Sequence, residues 1–120
     1  MPIIATTDIK RISDIIISEE MQQRISRDDV EYIGDVKQGQ LLKESATAGK
    51  YEAITANADL GDAVYIALFN SDDHFGDRTA GLARLCQVRT SKLEWPADVD
   101  DAGKAAAIAA LKPQMVIFRD

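Results

Sequence analysis

Asn70-Ser71-Asp72-Asp73-His74-Phe75-Gly76-Asp77 gathers three carboxylates and the sole histidine within a few positions. Hard cations take oxygen ligands, and an acidic loop with a glycine is one way to supply them. The spacing departs from the calcium loop of an EF-hand, because the glycine comes late and no glutamate closes the coordination. Zinc needs further His or Cys ligands, and Cys86 falls beyond a strand boundary. The loop therefore reads as a solvated turn, with no metal and no cofactor expected. Cys86 as a nucleophile needs an activating base, for which His74 is the only choice; a small buried hydrophobe in a strand fits it better. The acids lie in turns, caps and polar flanks, where water keeps them ionised, so none is singled out for acid–base work. The glycines are scattered between strands without a phosphate-cradling spacing. Trp95, the lone tryptophan, has the chemistry of an aromatic platform, but in a β-rich chain it reads as core. No catalytic group stands out, and the expectation is a protein that is not an enzyme.

The elements that position these residues belong to a single-domain length of 120 residues, 46% of them hydrophobic. That length buries about two thirds of the unfolded surface. A net charge of −6 argues against nucleic acid or an anionic membrane as the main partner. No window approaches the roughly 20 apolar residues of a membrane span. The first residues, Met1 to Asp8, carry neither a basic start nor a long apolar run, so no signal peptide is expected. The single cysteine fits a reducing compartment, and synthesis in a cytoplasm is the corresponding expectation.

From Ser26 onward the pattern is that of a compact β domain. Residues 27–33, 38–43 and 51–54 read as short strands separated by Gly and polar turns. Ala63 to Phe69 is a continuous apolar run, which implies burial on both faces and leaves a subunit contact open for one of them. Gly81 to Arg89 reads as one further strand. The fold class expected is mainly β, a small sandwich or open barrel, with one short C-terminal helix.

That helix has strong punctuation. Pro96 holds Trp95 extended, Asp98, Asp100 and Asp101 offer capping oxygens, and Pro113 stops the helix after Leu111. Asp100 and Lys104 stand i,i+4 in the favourable order. The helix is expected to dock through Ile108 and Leu111, its alanines allowing close approach, before a closing strand over 115–119. Residues 1–25 differ: Ile12 to Ile17 is β-branched and flanked by polar residues, with no glycine turn to a neighbour. It reads as an extended arm that supplies a strand to something else, ahead of a compact domain over 26–120.

Taken in order, Asp14-Ile15-Ile16-Ile17, Ser26-Arg27-Asp28-Asp29-Val30, the Gly39-Gln40-Leu41-Leu42 and Gly49-Lys50-Tyr51 hairpin, Leu93-Glu94-Trp95-Pro96 and the alanine helix resemble a known family. The chain is similar to the head decoration proteins of tailed bacteriophages, the group typified by phage lambda's. The charged loop from Ser71 to Arg78 departs from that pattern and takes no role from it. The resemblance implies a β-clip domain forming homotrimers on the outside of the expanded head, at three-fold and quasi-three-fold positions. It implies a virion location, the major capsid protein as partner, and an N-terminal arm adding a strand to that partner's sheet. Ile12, Ile15, Ile16 and Ile17 are then the arm residues, and Tyr65, Leu68, Phe69 and Leu85 are the expected trimer contacts. A rival expectation is a small carbohydrate- or peptide-binding module using Trp95; another is a hydrolase using Asp72, Asp73, His74 and Asp77.

Overall fold

Turn chemistry dictates much of the chain's path: Gly34 ends one strand and Gly49 closes a hairpin, both at positive φ (+76° and +82°) that other residues resist. The computed structural model describes residues 12–19, 23–71 and 78–120. It begins with a helical turn, α1 (Ile12–Ile15), running into β1 (Ile16–Glu19), and a second turn, α2 (Gln23–Ser26), leads to β2 (Arg27–Tyr32). β3 (Leu41–Glu44) and β4 (Lys50–Ala53) form the hairpin, and β5 (Tyr65–Ala67) and β6 (Arg78–Leu82) follow. These last five strands close a barrel in the order β2-β4-β3-β5-β6. All contacts around it are antiparallel except β2 with β4. Closure satisfies every strand edge of the barrel.

The remaining strands make a separate three-stranded sheet, β1-β7-β8, from β7 (Cys86–Arg89) and β8 (Val116–Arg119). β1 runs antiparallel to β7 and β8 parallel to it. The fold is thus mainly β, with eight strands in two sheets among the described residues and a short helix, α3 (Asp101–Leu111), near the end.

The apolar run at 63–69 is buried on both faces, as its composition implies. Ile66 and Leu68 join a large core with Leu41, Leu60, Leu82, Val88, Leu111 and others, while Ala67 faces a smaller one with Val30, Tyr32, Val36 and Leu42. Both faces are filled by the chain's own core.

α3 starts as expected: the Asp100 carboxylate accepts the Gly103 N–H at 2.8 Å. Asn57 secures it to the 3₁₀ turn Asn57–Asp62, donating its N–H to Asp98 Oδ1 at 2.9 Å and accepting the Asp100 N–H at 3.1 Å. The docking face is corrected in one residue: Leu111 is buried as expected, but Ile108 is not. Gly103, Ala107 and Leu111 are buried, whereas Ile108 is 38% exposed. Small residues let the backbone approach so closely that a Cβ on Gly103 would lie 1.7 Å from Asn57 Oδ1. Lys104 stands 5.6 Å over the Trp95 ring.

Two further expectations change. The strand over 81–89 is broken: Ala83 and Arg84 turn their N–H groups to Ser26 O, Leu85 takes a left-handed conformation (φ +53°), and the chain passes from the barrel to the second sheet. The extended, unpaired strand over 12–17 is replaced by α1 and by β1 paired with β7 through Ile16↔Val88, Ser18↔Gln87 and Glu19↔Cys86. Burying Ile15 in the large core outweighs the strand preference of its neighbours.

Candidate functional site

The second sheet buries Cys86, Val88 and Val116 on one face. Its other face carries Ile117, 42% exposed, beside Met115, at 58% the most exposed large apolar residue among those described. Together with Ser18, Leu85, Cys86 and Gln87 they line a cleft of about 130 Å³. Among the described residues, Leu85 and Met115 are the two non-glycine positions with positive φ, +53° and +63°. They are held side by side, since Leu85 N–H donates to Gln114 O at 3.1 Å and Cys86 N–H to Met115 O at 3.2 Å. A left-handed L-residue costs roughly 1–2 kcal/mol, so two long apolar side chains are presented here against a backbone preference for Gly or Asn. No described strand covers the outer edge of β1 or of β8.

The expected arm residues divide. Ile15 is fully buried, Ile12 and Ile16 pack on the core, and Ile17 is 39% exposed on β1. Polar contacts hold the segment at both ends. Arg89 Nη1 donates to the Asp14 carbonyl at 3.1 Å. At the other end Arg27 grips the Glu19 carboxylate through Nε and Nη2, both at 2.9 Å, and the buried Ser26 hydroxyl donates to the same carboxylate. Burial disfavours the Glu19 charge, but the Arg27 and Ser26 hydrogen bonds and the Arg27 charge outweigh it and hold the carboxyl below its usual range. This cluster spans positions with no periodic relation; a buried serine beside an arginine after a glutamate is its only trace in the sequence.

A second polar cluster joins the barrel rim to the bend. Arg84 forks onto Asp28 at 3.1 and 2.8 Å and also reaches Ile25 O, while Tyr65 Oη donates to Asp28 at 3.0 Å. Arg84 chiefly, aided by Tyr65 and opposed by burial, keeps the Asp28 carboxyl low; burial and that carboxylate push the Tyr65 phenol up. Tyr65 also meets Tyr51 edge-on at 5.0 Å. Among the expected trimer contacts, Leu68 is fully buried in its own chain and is core, and Phe69 packs against that core. Tyr65 is half-buried in the network just described, and Leu85 lines the cleft. Trp95 is half-buried between Phe118 and Lys104, its Nε1–H donating to Thr90 O at 3.1 Å. Cys86 is a buried hydrophobe whose thiol burial, with the nearby Glu19 charge, pushes up to about 12. Asp72, Asp73, His74 and Asp77 lie outside the described residues, and among those described no group of three or more His, Cys, Asp or Glu could hold a metal.

An edge-free barrel, ion pairs turned on one another and an apolar face left on an open sheet make a small, mainly β protein with an exposed apolar surface. Compared with known families, the chain matches the model of bacteriophage lambda head decoration protein D over residues 5–116, and it belongs to that family. The family is a structural one of the phage capsid, associated with the head and its stabilisation, and is not a family of enzymes. A search of curated proteins returned no match.

Proposed function

We propose that the protein acts as a homotrimeric cement on the outside of the expanded phage head, at three-fold and quasi-three-fold positions, after synthesis in the host cytoplasm. Its N-terminal segment adds a strand to the sheet of the major capsid protein. The observation that carries this reading is the contrast within the fold: the barrel closes on itself, while the β1-β7-β8 sheet has two edges open among the described residues and exposes Ile17, Met115 and Ile117. Apolar side chains on an open sheet are the usual make-up of a protein-binding surface. Leu85, with Met115 and Ile117, supplies contact between copies; Tyr65 and Phe69 contribute only where they emerge from their own packing.

Trimerisation is part of the mechanism. A short added strand makes a few backbone bonds of about 0.5–1.5 kcal/mol net each, against an ordering cost of about 1–2 kcal/mol per residue. One arm binds weakly; three arms on one trimer raise avidity by about 10² to 10⁴ provided the sites are correctly spaced. Expansion of the shell sets that spacing, which gives a reason for preferring expanded heads. Trp95, half-buried with its N–H bonded, is a less suitable platform for a carbohydrate or peptide.

The test is solution mass followed by incubation with expanded, undecorated heads and with unexpanded shells. A trimer that saturates only the expanded heads is the expected result. A monomer, or equal binding to both, overturns the proposal.

A further inference from the structure

We propose that a groove between the barrel rim and the end of α3 is a docking surface of its own, and that it takes an extended segment of a partner protein through an arginine side chain. The groove shares no lining residue with the cleft at Leu85 and Met115, so its partner is additional to any contact between copies made there.

Two cavities make up the groove and meet along Glu44, Val64 and Gln114. The larger, about 510 Å³, runs from Lys43 on β3 past Asp62 to Ala110 on α3. The smaller, about 220 Å³, is walled by Tyr51, Tyr65 and Arg84. The larger one alone falls within the roughly 300–1,000 Å³ usual for ligand clefts. Gln114 is fixed in place: its Nε2 donates to Ala83 O at 2.7 Å and ties the turn after α3 to the end of β6. The groove is therefore present in the single subunit.

Its charges do not balance. Lys43 is matched by Asp59 at 3.2 Å and by Glu52 at 3.6 Å. Arg84 is matched by Asp28 through two hydrogen bonds. Glu44 and Asp62 are exposed, and neither makes a hydrogen bond or an ion pair among the described residues. The cations lining the groove are thus neutralised within the chain while its carboxylates are not, and the surplus negative potential favours a cation from outside. Another copy of this chain is a poor source, because like net charges of −6 repel.

The tyrosines select which cation. Tyr51 and Tyr65 meet edge-on with centroids 5.0 Å apart, and both line the cavity that opens onto Glu44. A guanidinium lies flat against an aromatic ring while forking onto a carboxylate, a combination that a compact ammonium matches less well.

The test is an amide chemical-shift titration of the full chain with acetyl-Ala-Ala-Arg-Ala-Ala-amide and with the same peptide carrying Lys or Glu at its centre. Saturable shifts confined to β3, β4 and residues 61–65 and 110–114 are expected with the Arg peptide, weaker binding with Lys and none with Glu. Glu44→Gln with Asp62→Asn, both at exposed positions, should weaken binding about three- to tenfold and leave near-ultraviolet circular dichroism unchanged. Tyr51→Leu should erase the preference for Arg over Lys. Binding of the Glu peptide, shifts scattered over the whole surface, or full affinity in the double variant overturns the proposal. Equal shifts from spermidine would assign the groove to free polyamines and overturn the protein segment as its occupant.

Discussion

The barrel and the open sheet handle the same problem in opposite ways. Every strand of the barrel has two neighbours, and its apolar residues Val30, Leu42, Ile66, Ala67 and Leu82 are at most 1% exposed. The β1-β7-β8 sheet shares the large core on one face, yet leaves two edges unpaired among the described residues and sets Ile17, Met115 and Ile117 in solvent. A cement protein must survive alone and still bind on arrival. On the proposed function, the division assigns survival to one region and binding to the other, so stability and association should be separable by mutation.

The sharpest break of that comparison is expected from matched truncations. Ile66→Ala opens a cavity in the shared core and should cost about 2–5 kcal/mol in denaturant unfolding at fixed protomer concentration. Ile117→Ala, on the outer face, should stay within about 0.5 kcal/mol for the isolated subunit. If the proposed trimer forms through this face, it should instead raise the concentration at which the trimer dissociates in sedimentation. Equal losses of stability at the two sites would remove the distinction.

Next in size is Gly103→Ala. In an exposed helix this exchange gains about 1 kcal/mol. Here the new methyl would sit 1.7 Å from Asn57 Oδ1 and force apart the clamp that seats α3, so a net loss of about 1–3 kcal/mol is expected. Asn57→Ala with Gly103→Ala should cost less than the sum of the single changes, because the first removes the atom that the second strikes. Additive losses would show that the clash is relieved elsewhere.

These two sites also show what could be read from the chain and what could not. Four of the barrel's five strands (all but β6, whose start at Arg78 lies where a loop was expected), the double-faced burial of 66–68, the Asp100 cap and the stop near Pro113 follow from local signals: glycine turns, an unbroken apolar run, acids before alanines. The docking face of α3 did not, because reading by size favours Ile108 while close approach favours Gly103 and Ala107. A glycine inside a helix was the available clue, since it is costly unless a neighbour presses there. The break at Leu85 was hidden because a left-handed leucine has no compositional signature. The Glu19 grip and the Asn57 clamp join residues 7 to 43 positions apart and depend wholly on the fold. Ile12 to Ile17 misled for the same reason: its β-branched residues fit a strand, and a tertiary vacancy for Ile15 decided otherwise.

Acid offers a gentler way to sharpen the contrast. Glu19 and Asp28 are both held below their ordinary values in the folded chain. An unfolded chain takes up these protons first, so their stabilisation is complete above about pH 5 and is lost as pH falls through the carboxylate range and below. Glu19→Gln and Asp28→Asn should each flatten the acid limb of the stability curve. They should differ in amide exchange near pH 4: the first should release β1 selectively, the second should loosen β2 and the bend at Arg84. Identical exchange patterns would mean that the sheet and the barrel open as one unit.

The smallest effect expected has the opposite sign. Met115 holds φ +63° with its side chain 58% exposed, so it bears the cost of a left-handed backbone and recovers little by burial in the single subunit. Asparagine visits that conformation more readily, and Met115→Asn should stabilise the isolated chain by about 0.5–1 kcal/mol. If the side chain is kept for contact with another copy, the same exchange should weaken the trimer. A variant that is more stable as a subunit and poorer as an assembly is a combination that core packing alone does not produce. A Met115→Asn protein that loses stability while associating normally would put Met115 among the residues that hold the fold, and the open sheet would lose its claim to be the binding face.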